Sequence, residues 1–330
     1  MTVEDELPVE TIPAIEYWSE NFAFYGYDFE RRIGFVVYVG RWVRDPSLWR
    51  EQLYIYLPDG SILSYRTIGP QAEGPDISAG CVKLRCIKPG RHWRIGFKGA
   101  MRHDTTSALI TEPIPEGAPH LVELNVDVDC TLPVAMMPVT DNMSYGKFHF
   151  EQMIDVSGAV KFNGENLPFS GPGYRDHSRG PRHLVDYDGH VWLQLFSPET
   201  ARFSGYQMWS IQNGQSAQIL DKAFGIGSTD FGPAAFNRSV RLSSLANIDD
   251  AVHLDLTVGD RRLSLTGKPL ANMPSSFTRK FDFYSGASSR ADFVCIDQPI
   301  LFENDDVTIP GYLQRSFRTS AANSISTGEE

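Results

Sequence analysis

Four side chains that can hold or move charge and protons stand in a row in the middle of this 330-residue chain: Tyr174, Arg175, Asp176 and His177. Gly171-Pro172-Gly173 precedes them, and Ser178-Arg179-Gly180-Pro181-Arg182 follows. A phenol, a carboxyl and an imidazole close together are the groups of general acid–base chemistry. Three turn formers in a row imply an unusual backbone that presents the cluster, as sites on scaffolds are commonly presented. If the stretch is extended, period two puts Tyr174, Asp176 and Ser178 on one face, with Arg175, His177 and Arg179 on the other. Two readings follow. Either Tyr174 and Asp176 face a cavity as an acid pair, or His177 does, as a base flanked by arginines that would bind an anion. Gly-Pro kinks would put both within reach, and the preferred assignment is Asp176 with Tyr174 as acid–base groups and His177 as partner. Arg175 and Glu151 are read as substrate-binding, with Trp192 and Tyr206 added from the second half. The competing structural reading is a buried Arg175–Asp176 ion pair at a domain junction.

The elements that must position this cluster are strands. Arg32 to Gly40, Glu51 to Leu57 and Val82 to Ile87 read as strands, and Leu121 to Val128 alternates cleanly between apolar and polar residues. The second half continues with His190 to Phe196, Phe203 to Ile211, Val252 to Val258 and Leu301 to Glu303. Pro58-Asp59-Gly60 is a hairpin signal, and Asn163-Gly164-Glu165 and Asn213-Gly214 read as turns. Strands every 8–12 residues or so point to antiparallel barrels or sandwiches. Pro46 to Trp49 reads as one helical turn, Met136 to Ser144 is ambiguous, and Thr111 to Pro119 reads as a loop. The length suits two domains. These are placed at 1–170 and 171–318, with the cluster opening the second and 319–330 as a frayed tail.

Composition narrows the function. Hydrophobic residues make up 42% and charged residues 22%, a globular balance. The net charge of −11 argues against a nucleic-acid partner, which needs a basic surface. No apolar run is long enough to span a membrane. The N-terminus is acidic where a signal peptide is basic, and Cys81, Cys86, Cys130 and Cys295 form no CxxC pair. These features together suggest a reduced cytoplasmic protein. His92-Trp93 and His103-Asp104 lack a third ligand at a telling spacing, so no metal is expected. No nucleotide fingerprint stands out, and no cofactor is expected.

The stretch from Phe150-Glu151-Gln152 through VSGAVKFNGENLPFSGPGYRDHSRGPR resembles the motif of the hydroxyneurosporene synthase (carotenoid 1,2-hydratase)-like superfamily, which also holds AttH-like proteins and some fungal Diels–Alderases. SENFAFYGYDFERRIGFVVYVGRW, Ser19 to Trp42, is similar to the family's opening, and Gly311-Tyr312-Leu313-Gln314-Arg315 is a fainter match. The chain departs from the pattern at Arg179, where relatives often carry Trp, and at Gln314, where they often carry Glu. The resemblance implies an all-β fold of two tandem lipocalin-like antiparallel β-barrels. It also implies a cofactor-independent enzyme acting on a terpenoid, steroid or aromatic molecule, as a hydratase, dehydratase or isomerase. A carrier of a hydrophobic ligand and a pericyclase or cyclase are the alternatives. The first place to look for the cavity is a cleft between the domains near Tyr174, and the oligomeric state is left open.

Overall fold

The computed structural model describes residues 5–111, 117–136, 148–181, 188–197, 201–212, 215–225, 236–241, 245–258, 261–277 and 293–318. Over 201–212, 215–225 and 236–241 it describes the backbone alone. The chain divides into two compact units, Met1–Leu184 with Tyr284–Gly286 and Val185–Phe283 with Ala287–Glu330. Both are antiparallel sheet, and the fold is all-β and tandem lipocalin-like.

The first unit holds β1 (Trp18–Asp28), β2 (Ile33–Trp42), β3 (Asp45–Tyr56), β4 (Ile62–Pro70), β5 (Val82–Lys88), β6 (His92–Asp104), α1 (Thr106–Thr111), β7 (Ala118–Asp129), β8 (Ala135–Met136), β9 (Phe148–Phe162) and β10 (Glu165–Pro181). The order β10-β1-β2-β3-β4-β6-β7-β9 returns on itself, because β9 also pairs with β10. Eight strands therefore form a closed ring, with β5 hung on β6 and β8 on β9. Closure removes the open edges that a sheet of this size would present. Inward side chains fill it: Phe22, Phe24, Trp49, Trp93, Phe97 and Ile154 belong to one buried core. The alternation in β7 shows how sequence dictates this, since Val122, Leu124, Val126 and Val128 are buried while Leu121 is exposed.

The hairpin signals hold within the described residues. Asn163 and Gly164 both have positive φ, 51° and 80°, the turn that joins β9 to β10 with the twist hairpins prefer. At Pro58-Asp59-Gly60, Gly60 has φ of 85° and Asp59 Oδ1 accepts from Ser61 N at 2.9 Å. Other expectations change. Pro46 to Trp49 lies in β3 instead of a helical turn, because Trp49 is drawn into the core and its backbone pairs with Arg41 and Gly69. Of the expected loop from Thr111 to Pro119, Thr111 belongs to α1 and Ala118-Pro119 to β7; Thr105 Oγ1 caps the helix, accepting from Ala108 N at 3.2 Å. Gly171-Pro172-Gly173 makes no corner. It runs as strand, and a Cβ at Gly173 would lie 1.9 Å from Tyr25 O, so the glycine admits the neighbouring backbone.

The cluster also sits in a different place from the expected one. The sequence places it at the opening of a second domain from residue 171. In the structure residues 165–181 form one strand bonded to β9 and β1, so the cluster belongs to the first unit. Arg182, 137–147, Asn213-Gly214 and the 319–330 tail lie outside the described residues.

The second unit holds β11 (Gly189–Ser197), β12 (Ala201–Gln212), β13 (Gln215–Gly225), β14 (Phe236–Arg241), β15 (Val252–Val258), β16 (Arg261–Pro269), β17 (Met273–Phe277), β18 (Phe293–Glu303) and β19 (Thr308–Arg318). Their order is β13-β12-β11-β19-β18-β16-β15-β14, with β17 on β18. Here β19 sits between β18 and β11, as β10 sits between β9 and β1. Among the described residues no helix is long and apolar enough to cross a membrane.

Candidate functional site

Because β10 is continuous, its period-two split is real, and the cluster divides between two faces of the first barrel. Arg175 and His177 point inward. Arg175 Nη1 and Nη2 donate to Glu6 Oε2 and Oε1 at 3.0 and 2.6 Å, a two-pronged pair buried on both sides. Its Nε donates to Gln152 Oε1 at 2.8 Å, and its guanidinium lies over the rings of Phe150 and Trp93 at 5.0 and 5.5 Å. The Arg175–Asp176 ion pair does not form, since adjacent residues of a strand point apart and Glu6 takes the guanidinium.

His177 stacks on Phe22, with centroids 4.0 Å apart. Its Nδ1 lies 2.8 Å from Asp5 O, a carbonyl that can only accept, so Nδ1 carries a proton. Its Nε2 faces Glu20 Oε1 at 3.1 Å, a contact that attracts only with a proton between the two atoms. Burial lowers the pKa of His177, with Glu20 acting in the opposite direction. Glu20 also accepts from Val9 N at 3.1 Å and lies 3.5 Å from Arg41 and Arg179. His177 is therefore tied to the N-terminal segment on the inner face and does not join Asp176 and Tyr174.

Tyr174 and Asp176 point the other way, into a grid set by strand register. Across β9, β10, β1, β2 and β3 one row reads Glu151, Asp176, Ala23, Tyr38, Gln52. The next reads Met153, Tyr174, Tyr25, Val36, Tyr54, and the one before reads His149, Ser178, Asn21, Gly40, Arg50. Every member of the three rows is buried. Tyr174 stacks on Tyr25 at 4.3 Å, and Tyr38 meets Tyr25 edge-on at 5.5 Å. Arg50 donates to Asn21 Oδ1, and His149 Nε2 lies 3.8 Å from Glu151 Oε1. The central feature is Glu151 directly opposite Asp176: two buried carboxyls on neighbouring strands, with Cβ atoms about 5 Å apart by the geometry of such pairs. The sequence reading includes both residues but not their pairing, which the hairpin turn at Asn163-Gly164 makes countable.

The second unit repeats the layout. Phe150-Glu151-Gln152 on β9 corresponds to Ile296-Asp297-Gln298 on β18, and Pro172-Gly173-Tyr174 on β10 to Pro310-Gly311-Tyr312 on β19. Its central row reads Asp297, Gln314, Trp192, Tyr206. Trp192 and Tyr206 are thus brought together in register, and the side chain of Tyr206 lies outside the described part. Gln314 Nε2 donates to Asp297 Oδ1 at 2.8 Å, and Gln314 Oε1 lies 3.1 Å from His190 Nε2, which is 3.0 Å from Ser316 Oγ. On the opposite face Arg315 Nε donates to Gln298 Oε1 at 2.6 Å and Nη1 to Asn247 O at 3.0 Å. Burial lowers the pKa of Arg315 to about 10.

Two curled antiparallel units, each with a polar grid around its closing hairpin, define a tandem lipocalin-like β protein. The chain belongs to the family described as a domain of unknown function, DUF7064, whose profile matches residues 2–295. Its fold is similar to a solved structure described as an AttH from Nitrosomonas europaea, at 13% identity over 97% of this chain and 99% of that one, with a TM-score of 0.55. CghA is similar at 12% identity, 96% and 90% coverage and a TM-score of 0.49. Kievitone hydratase from Nectria haematococca follows at 10% identity, 91% and 89% coverage and 0.45. At such identities the likeness is one of fold. No curated protein matches the sequence.

Proposed function

We propose that this protein is an acid–base enzyme for a hydrophobic small molecule, and that Glu151 and Asp176 are the pair that moves the proton. The observation that carries the reading is their direct opposition in the buried row of β9 and β10. In this reading one carboxyl is protonated and the other ionised, an arrangement that two carboxyls facing each other in a buried row favour. One is then an acid and the other a base, as hydration of an isolated alkene requires. The protonated carboxyl gives its proton to one alkene carbon, and water adds to the cation at the other. The carboxylate takes the proton that the water releases, so the pair ends with the proton it began with. Tyr174, Tyr25 and Tyr38 bring aromatic faces to the same grid, and such faces stabilise a passing cation. Dehydration is the same path reversed, and isomerisation is protonation followed by loss of a different proton. None of these steps calls on a cofactor.

The motif around residues 150–182, together with the fold, supports placing the chain in the hydroxyneurosporene synthase-like superfamily and the substrate among terpenoid, steroid or aromatic molecules. His177 and Arg175 have no part in this chemistry, and the reading takes nothing from Trp192 or Tyr206. The test is to incubate the protein with a panel of isoprenoid and prenylated phenolic alkenes in water enriched in ¹⁸O, and to look for labelled alcohol by mass spectrometry. Product from wild type that is lost in both Asp176→Asn and Glu151→Gln supports the reading. Labelled alcohol that survives either change sinks it, and a product formed without ¹⁸O favours a pericyclase instead. Saturable binding of the panel with no product at all sinks it in favour of a carrier.

A further inference from the structure

The opposite face of the same strand carries a second site, independent of the acid pair. Glu6 reaches the inner end of the first barrel from a segment that has no regular structure between residues 5 and 17. Three donors meet its carboxylate: both terminal nitrogens of Arg175, at 3.0 and 2.6 Å, and Gly90 N at 3.0 Å. The barrel holds these donors without help from Glu6. Arg175 Nε is fixed on Gln152 Oε1, and Gln152 is itself fixed by donating to Gly90 O and Leu132 O at 3.1 and 2.6 Å. Gly90 is set by its own turn, with φ of 67°. The guanidinium is further positioned over Phe150 and Trp93. A planar two-pronged donor with an added backbone N–H is the geometry that recognises a carboxylate.

The segment that supplies the carboxylate is held otherwise by polar contacts. Asp5 O meets His177 Nδ1 and Arg179, and Val9 bonds Glu20 through its N–H and Arg41 through its carbonyl. Leu7, next to Glu6, is exposed. Receptor and occupant thus come from parts of the chain with different architecture: the barrel wall on one side and an irregular tail on the other.

We infer that this end of the first barrel is a carboxylate receptor that the chain fills with its own Glu6, and that a free small carboxylate can take Glu6's place. Cutting Glu6 back to its Cβ removes a CH2–carboxylate, the size of an acetate ion, and the filled core that includes Trp93 sets a limit against a long tail. The test is chemical rescue in the full chain. Glu6→Ala strands the buried Arg175 and lowers the melting temperature by roughly 10 °C. Sodium acetate then restores at least half of that loss with a saturable dependence, while sodium chloride at equal ionic strength does not. Wild type shows no such response, and Glu6→Ala with Arg175→Met loses it. If Glu6→Ala does not fold alone, refolding yield replaces the melting temperature, and folding that depends on acetate supports the site. An acetate effect no larger than chloride's, in either readout, overturns the inference.

Discussion

The β9–β10 hairpin of the first unit and the β18–β19 hairpin of the second use one plan to opposite ends. Each places an acidic residue and then a glutamine on the first strand, and Pro-Gly-Tyr on the second. In the first unit the acidic residue, Glu151, meets a second carboxyl, Asp176. In the second, Asp297 meets the amide of Gln314, which passes the contact on to His190. The glutamines differ in the same way. Gln152 clamps an arginine that receives a carboxylate from the tail, whereas Gln298 clamps one that receives the backbone carbonyl of Asn247. The first unit therefore concentrates charge at positions where the second closes a chain of donors and acceptors. The same scaffold positions thus carry different chemistry in the two units, two carboxyls in one and a carboxyl with an amide in the other.

The comparison breaks hardest at the arginines. Arg175→Met leaves the Glu6 carboxylate buried without its partner and costs about 3–5 kcal/mol. Arg315→Met leaves neutral hydrogen-bond acceptors behind, its acidic neighbours Asp249 and Asp250 are exposed to water, and the change costs about 1–3 kcal/mol. Urea unfolding of the two variants measures the difference, and equal losses would show that the two clamps do the same work. Next comes Gln314→Glu, which gives the second unit the first unit's pair of carboxyls. It removes the amide donor to Asp297 and costs about 2 kcal/mol where both carboxyls are charged, a loss that shrinks as the pH is lowered and the new pair takes up a proton.

The reverse exchange, Asp176→Asn, gives the first unit the carboxyl–amide pairing of the second. It is expected to leave stability within about 1 kcal/mol while removing turnover, so thermal melts and product assays must part company. The last contrast is a slope in pH. Burial holds His177 below its ordinary pKa of 6.5, so below pH 6.5 the unfolded chain takes up a proton that the folded chain resists. Stability is therefore full above pH 6.5 and falls as pH drops from there towards the folded-state pKa. Where His177 pairs with Phe150 in register, the second unit pairs Arg315 with Ile296, and Arg315 does not titrate in this range. His177→Gln should flatten the slope, measured as melting temperature from pH 5 to 8.

Much of this was legible in the residues themselves. Alternation exposed the strands, and Asn163-Gly164 announced the hairpin that sets Glu151 against Asp176. The two faces of residues 174–179 followed from period two. What local pattern could not reveal was partnership over distance. Glu6 lies 169 residues from Arg175, and nothing between them marks the pairing. Gly171-Pro172-Gly173 looks like a corner and so suggests a boundary after residue 170, whereas its glycines admit the backbone of β1. The repeat between the units survives in little more than Glu/Asp-Gln and Pro-Gly-Tyr, too few identities to notice before strand register aligns them.

The place of β10 in the ring bears on how the chain is made. β1 finds β2 next to it in sequence, but the partner of its other edge is β10, with Trp18 matched to Pro181. Until synthesis passes residue 181, one side of β1 stays an open ladder of amides and carbonyls. Closing it spans most of the first unit, a contact of long sequence separation of the kind that slows folding and leaves edges exposed to other chains. That edge is covered only once β10 has emerged and docked, and Pro181, matched to Trp18, is the last position of the pairing.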